Sequence, residues 1–156
     1  MSVKLELIKK ATLAEYVEVN GLKYFVDGKK VMFEPTTEEL NTAFWLSKKL
    51  NKEVIILPKI KQPENIKTAD YMIDNEYWDL KGISSNKNYA VYSRIRNQEE
   101  QASNFIIDIS KSKLTIRAVT NQINELYKLK NFKWLNKFII KKNNTIEIIV
   151  RNKKSR

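Results

Sequence analysis

The chain has 156 residues, of which 42% are hydrophobic and only three are glycine and three proline. This length and composition predict a folded domain with a substantial core rather than a disordered chain. The sequence contains no cysteine and no histidine, which excludes disulfides, thiolate zinc sites, thiol nucleophiles and histidine general bases.

The charge is strongly positive and unevenly distributed. The formal net charge is +11, and residues 128–156 carry ten Lys or Arg against one acid, Glu147. Such a basic segment favours a polyanionic partner such as nucleic acid, although lysines that only keep the surface soluble would give the same count. No apolar run approaches the roughly 20 residues that span a bilayer, and the chain start lacks the apolar stretch of a signal peptide. We therefore expect a soluble protein without membrane contact.

The first part of the chain predicts a β-meander. Three short β-prone runs, at 16–19, 22–26 and 31–33, are separated by the turn dipeptides Asn20-Gly21 and Asp27-Gly28. We expect residues 1–35 to form an N-terminal extension of an α/β domain that covers residues 36–156.

Helices and strands alternate in the remainder of the chain. The patterns predict helices at 35–50, 88–103 and 115–129, strands at 52–57, 71–73, 77–80, 104–109, 137–141 and 146–151, and a loop at 59–69. This order indicates a mixed α/β fold with a central β-sheet flanked by helices.

Two carboxylates and a lysine lie on the predicted hairpin that turns at Asp74-Asn75. Asp79 and Lys81 are two residues apart and share one face of a strand, whereas Trp78 points to the other face. Asp70 precedes the first strand, and a hairpin brings it close to Asp79. Because adjacent carboxylates repel each other unless a cation lies between them, the pattern predicts a site for Mg²⁺ or Mn²⁺.

An ordered set of segments resembles the PD-(D/E)xK nuclease superfamily, and within it the C-terminal nuclease domain of contact-dependent growth inhibition toxins, over residues 36–151. The segments are Glu39-Leu-Asn-Thr-Ala43, residues 53–58, Thr68-Ala-Asp-Tyr, Trp78-Asp-Leu-Lys and residues 101–109. Thr-Ala-Asp stands where that superfamily usually has Pro-Asp. The resemblance implies a restriction-endonuclease-like sheet.

The resemblance also implies roles for particular residues. Asp70, Asp79 and Glu39 would hold a divalent metal, most simply Mg²⁺ with Mn²⁺ or Zn²⁺ as alternatives, and Lys81 would position water and steady the phosphate. The implied activity is metal-dependent endonuclease cleavage of RNA, with tRNA suggested first and DNA second. A cognate immunity protein is the implied partner besides nucleic acid. The implied location is the cytoplasm of the producing or the target bacterial cell, with secretion or delivery as part of a larger toxin as the alternative.

Each of these residues has a structural alternative. Glu39 completes a capping box with Thr36, Asp70 is a plausible strand-end residue, Lys81 can simply pair with Asp79, and Asp74 suits a turn. Glu76 also reads as a turn residue.

Phosphate contacts are expected from residues with cationic or amide side chains, and a solvated surface would explain them almost as well. They are Arg94, Arg96, Gln101, Lys59, Lys137 and Lys141. Tyr127 and Trp134 would stack on bases or lie in the core. Two other functions stay open: a non-catalytic nucleic-acid-binding domain of a phage or mobile element, and a purely structural protein.

Overall fold

The computed structural model describes residues 11–152. Residues 1–10 and 153–156 lie outside the described part, and with them three basic residues of the C-terminal segment, Lys153, Lys154 and Arg156. The chain divides into two compact units, of which one ends at Trp78 and the other begins at Asp79. None of the helices within residues 11–152 has the length and apolar character needed to cross a membrane.

The first unit is built mainly from short strands and one long helix. Its elements are β1 (Ala11–Leu13), β2 (Tyr16–Val19), β3 (Leu22–Phe25), β4 (Val31–Met32), α1 (Thr37–Leu50), β5 (Val54–Ile56), β6 (Lys59–Ile60), β7 (Tyr71–Ile73) and the first part of β8 (Glu76–Gly82). β1 pairs with β5 in parallel, and β7 pairs antiparallel with both β5 and β8.

The N-terminal strands are not a three-stranded meander. The β2–β3 hairpin is present, but β4 pairs with β6, so the predicted loop at 59–69 begins with a strand. The Asp27 carboxylate accepts hydrogen bonds from the N–H groups of Lys29, Lys30 and Val31 at 2.7–3.0 Å. This wider turn replaces a two-residue Asp-Gly hairpin and turns β4 away from β3. A domain boundary after residue 35 stays a prediction.

Local sequence explains the ends of α1. The Thr36 side chain accepts from the N–H of Glu39, the Glu39 carboxylate accepts from the N–H of Thr36, and Asn51 ends the helix in the left-handed conformation. Ala43 and Leu46 are fully buried, which fixes the inward face of the helix.

The β7–β8 hairpin forms as the sequence predicts. Ile73 pairs with Glu76, so only Asp74 and Asn75 form the loop, and both have positive φ, 52° and 63°. Asp and Asn tolerate this conformation better than other non-glycine residues, which explains the position of the turn.

The second unit contains the rest of β8 together with α2 (Ala90–Ile95), β9 (Asn104–Asp108), α3 (Ile116–Tyr127), a 3₁₀ turn (Lys130–Phe132), β10 (Lys137–Lys142) and β11 (Thr145–Val150). β10 pairs in parallel with β9 and antiparallel with β11. The hydrogen-bonded order of the seven-stranded sheet is β1-β5-β7-β8-β9-β10-β11. The predicted fold class, a mixed α/β fold with a central sheet and flanking helices, is confirmed.

The helix predicted at 88–103 is wrong in length, because α2 has only six residues. After Ile95 the chain continues as turns. The next positions that would fall on the buried face, Gln98 and Glu99, are polar, so another helical turn would add no apolar side chain to that face. Acidic residues would also lie unfavourably near a helix C-terminus.

Candidate active site

Asp70 is fixed by its backbone on both sides. Its N–H donates to the carbonyl of Trp78 at 3.1 Å, and its own carbonyl accepts from the N–H of Leu57 at 3.0 Å. The residue is only 8% exposed. A buried carboxylate needs partners, and those of Asp70 include Glu39 and Lys59. We call Glu39, Lys59 and Asp70 the acidic cluster.

The two carboxyl groups of the acidic cluster share the Lys59 ammonium and perturb each other. Burial of Glu39, and next its hydrogen bond with the Asp70 carboxyl, raise the pKa of Glu39 above its usual value. Lys59 compensates in part, with its Nζ 2.7 Å from Asp70 Oδ1 and 3.9 Å from Glu39 Oε2. Two carboxylates and one ammonium leave this half-buried cluster one negative charge in excess when both acids are ionised.

Glu39 completes the predicted capping box and also approaches Lys59, whereas its role as a metal ligand stays a prediction. Its Oε1 accepts from the N–H of Thr36 at 2.9 Å, which completes the capping box, while Oε2 is the oxygen that approaches Lys59. The hydroxyl of the buried Tyr71 donates to the Glu39 carbonyl at 2.6 Å and so attaches this turn of α1 to β7. The cap therefore orients the side chain and leaves one oxygen for the cluster.

Lys59 lies in the acidic cluster, where it contacts carboxylates, whereas the sequence suggested a phosphate contact. It belongs to β6, the strand that sequence patterns missed. The signal that could have found Lys59 is its position directly after Pro58, which ends the run 54–57. The last residue of that run, Leu57, is hydrogen-bonded to Asp70, the residue before β7.

The donor set of the acidic cluster fits a hard divalent cation that keeps most of its waters. Within residues 11–152 no group of three or more Asp, Glu, His or Cys side chains is arranged to hold a metal. Mg²⁺ is commonly bound by only one or two carboxylates together with water and substrate phosphate. Two oxygen donors whose mutual repulsion a cation would relieve meet that requirement, with Lys59 as the competing positive charge.

Asp79 and Lys81 form a buried ion pair in the second unit. Lys81 Nζ lies 2.8 Å from Asp79 Oδ2, and the side chains are only 10% and 3% exposed, respectively. Burying two charges carries a desolvation penalty that an apolar pair would avoid, so stability alone gives little reason for this pair. Asp79 directly follows Trp78, whose carbonyl accepts the Asp70 N–H.

The other predicted residues divide into exposed and structural positions. Arg94 is on α2 and its Nε donates to the Gly82 carbonyl at 3.3 Å, Arg96 is the C-terminal cap of α2, and Gln101 lies in the turns that follow it. The prediction that Gln101 lies on this helix is wrong, because α2 ends before it. Asp74 forms an ion pair with Lys52, as expected of a turn residue.

The predicted positions in the C-terminal part are largely structural. Lys141 Nζ donates to the Asn143 carbonyl at 3.0 Å, and Lys137 begins β10. The Tyr127 ring packs against Phe138, and burial raises the pKa of its hydroxyl. Trp134 packs against Phe105. These contacts support the core interpretation of both aromatic residues.

Two comparisons with known proteins find matches. A family model described as the contact-dependent growth inhibition CdiA C-terminal domain matches residues 67–146, a span that includes Asp70, Asp79 and Lys81. The chain is also similar to a solved structure described as a CdiA-CT/CdiI toxin and immunity complex from Burkholderia pseudomallei. That match has a TM-score of 0.59 and 22% identity, and it covers 90% of this chain and 99% of the other. At this identity the likeness establishes a shared fold. No protein of curated function matches the chain.

Proposed function

Because the chain belongs to the contact-dependent growth inhibition CdiA C-terminal domain family, we propose that this toxin domain is a metal-dependent endonuclease that hydrolyses phosphodiester bonds in RNA, with tRNA as the first candidate. The observation that carries the proposal is the pair of carboxyl groups, Glu39 and Asp70, that Lys59 bridges. Burial and mutual repulsion make two neighbouring carboxylates costly, and a bound divalent cation would relieve that cost.

In this proposal the acidic side chains hold the cation. Asp70 and Glu39 supply oxygens from the acidic cluster, and Asp79 is a further ligand only by resemblance to the PD-(D/E)xK nucleases. When bound, a divalent cation neutralises charge on the scissile phosphate and lowers the pKa of water. This chemistry replaces a histidine base, which the chain lacks.

Lys81 has the role of a positioning and charge-stabilising group. Its ammonium is held by Asp79 at 2.8 Å in a buried place, where its conformational freedom is small. A fixed cation of this kind stabilises negative charge that develops on the phosphate without rearrangement at the moment of reaction. The backbone hydrogen bonds of Asp70 likewise restrict the position from which its carboxylate extends.

DNA is the second candidate substrate, and a non-catalytic nucleic-acid binder of the same fold is the alternative function. The positive charge supports an RNA nuclease, a DNA nuclease and a non-catalytic binder equally, because lysine attracts the phosphates of RNA and DNA alike. The acidic cluster favours an enzyme, because carboxylates repel phosphates and would weaken a protein that only binds.

A cognate immunity protein is the partner that we propose besides nucleic acid. The similar solved structure is described as a toxin and immunity complex. An acidic surface on such a protein would complement the net charge of this domain. Delivery as the C-terminal part of a larger toxin would bring the domain to its substrate in the target cell.

Cleavage of total tRNA with and without Mg²⁺ tests the proposal. We expect cleavage that EDTA abolishes and that Asp79→Asn reduces by about 100-fold or more, the loss typical when an electrostatic catalytic group is removed. Asp74→Asn is the matched control, because Asp74 is an exposed acid on the same hairpin and Asn tolerates its positive φ.

Asp70→Asn provides a second test, because Asp79→Asn leaves the buried Lys81 without its partner carboxylate. Circular dichroism spectra that match the wild type establish that each variant is folded. Equal cleavage by Asp79→Asn and Asp74→Asn, or cleavage that survives EDTA, would refute the metal-dependent mechanism. Cleavage of plasmid DNA but not of tRNA would show that DNA, and not tRNA, is the substrate.

A further inference from the structure

We infer that the second unit carries a cleft for an unpaired nucleobase, a proposal that rests on the proposed function and names how its substrate is read. The cleft has a volume of about 580 Å³ and lies between α3 and the segment 86–92. This size falls within the range of cavities that take small ligands. We call it the amide cleft, after the side chains of Asn88, Asn121 and Gln122 that line it together with Tyr89 and Tyr92.

The amide cleft presents aromatic faces. Tyr89 is 53% exposed and Tyr92 is 36% exposed, although large aromatic side chains usually lose most of their exposed surface on folding. The Tyr92 ring is held by an edge contact with Phe132, at 5.6 Å between centroids. A fixed, half-exposed aromatic ring is the feature on which unpaired bases stack.

The amides around these rings are of two kinds. Gln122 fixes the wall of the cleft, because its Oε1 accepts from the Val91 N–H at 3.0 Å and its Nε2 donates to the Lys87 carbonyl at 3.1 Å. The side chains of Asn88 and Asn121 make no hydrogen bond within the described residues 11–152. An amide both donates and accepts, which matches the mixed donors and acceptors on a base edge.

The charge of the lining favours the neutral part of a nucleotide. The one charged side chain among the described residues that line the amide cleft is Glu125, whose carboxylate pairs with Lys128 at 3.1 Å. An acid at this position repels phosphate but not a base. The cleft is therefore suited to the base, and the phosphate has to lie elsewhere.

A second depression, of about 320 Å³, supplies a place for the phosphate. It begins at Gly82, the residue after Lys81, is lined by Ser84, Ser93 and Arg94, and shares Tyr89 with the amide cleft. Hydroxyl groups and a guanidinium suit an anion. One tyrosine thus joins a basic, hydroxyl-lined depression, which begins directly after Lys81 in the sequence, with an amide-lined cleft for a base.

The proposal is tested by binding of a short fluorescent single-stranded RNA and of its abasic counterpart, in EDTA so that metal-dependent cleavage does not occur. We expect wild type to bind the RNA that retains its bases at least about tenfold more tightly than the abasic RNA, because a base that stacks on an aromatic ring adds affinity. Asn121→Ala and Tyr89→Ala should remove most of this preference. Asn124→Ala, an exposed asparagine on the same helix that does not line the amide cleft, should retain it.

Equal affinity for the two RNAs, or equal behaviour of Asn121→Ala and Asn124→Ala, would overturn the proposal. If the amide cleft instead receives a protein, Tyr89→Ala will weaken the immunity complex and leave RNA affinity unchanged, which also overturns it. Base-dependent binding without cleavage in any divalent cation would refute the nuclease and support the cleft. Divalent-cation-dependent cleavage combined with equal binding of the two RNAs would support the nuclease and refute the cleft.

Discussion

Replacing Glu39 with glutamine separates the charge of the acidic cluster from its geometry. The pKa of Glu39 is raised, first by burial and then by the hydrogen bond with Asp70. An acid with a raised pKa in the folded state favours folding below its unfolded pKa of about 4.3, and this contribution is lost as the pH rises through the folded value. At pH 7 the ionised Glu39 thus destabilises the cation-free protein. Glutamine removes the charge and retains the cap.

The size of the expected effect follows from the charges of the cluster. Two carboxylates and Lys59 sum to −1, whereas the Glu39→Gln cluster sums to zero and has little attraction for a cation. For a Kd of about 1 mM and about 10 mM Mg²⁺, binding to the folded state stabilises wild type by about 1.4 kcal/mol. This raises the Tm of a chain of this size by about 3–6 °C.

Thermal unfolding followed by circular dichroism measures both effects. In EDTA at pH 7, Glu39→Gln should have a higher Tm than wild type, and this difference should shrink as the pH falls below about 4. With Mg²⁺ or Mn²⁺ the Tm should rise for wild type and for the control Glu38→Gln, an exposed acid in the same helical turn. Equal cation-dependent shifts in Glu39→Gln and wild type would show that the acidic cluster does not bind the metal.

Three other substitutions test the fold and the cluster. Lys59→Met removes the ammonium that contacts both acids, so in EDTA the free energy of unfolding should fall by about 1–3 kcal/mol while the Mg²⁺-dependent gain becomes larger; a more stable variant in EDTA would contradict this. Asp27 has a lowered pKa because its carboxylate accepts three backbone N–H bonds. Asp27→Asn should therefore be less stable than wild type in urea at neutral pH, and the difference should disappear as the pH falls through the folded pKa; a constant difference would exclude this cause. Arg151 donates to three backbone carbonyls, and Arg151→Met should lower the free energy of unfolding in urea by about 2–4 kcal/mol, whereas an unchanged midpoint would mean that water replaces these bonds.

Features that depend on neighbouring residues could be predicted from the sequence. The cap at Thr36 depends on side chains that accept hydrogen bonds from N–H groups three residues away. The turn at Asp74-Asn75 depends only on the positive φ that these two residues adopt. The buried strand of residues 104–109 and the helix that follows it were predicted for the same reason, since their apolar periodicity is local. The mixed α/β class then follows from the order of these elements.

Features that depend on distant partners could not be predicted in this way. β6 has two residues, too few for any alternation, and only its pairing with β4 defines it as a strand. The run 31–33 was predicted as a strand, but its partner was not. β1 is similar, because Ala11–Leu13 becomes a strand through its parallel pairing with β5. Contact with another strand, rather than intrinsic propensity, determines such short elements.

Glu39 illustrates why a local motif can conceal a second role. The capping box needs one carboxylate oxygen, and the Thr36 N–H occupies Oε1 alone. The cap nevertheless restricts the rotamer of the side chain and leaves Oε2 facing Lys59, a residue of β6 that also pairs with Asp70. Sequence reasoning that treats cap and ligand as alternatives therefore assumes one role per side chain. A carboxylate has two oxygens, and a cap that holds the first makes the second a better ligand, because less conformational freedom remains to be lost when a cation binds.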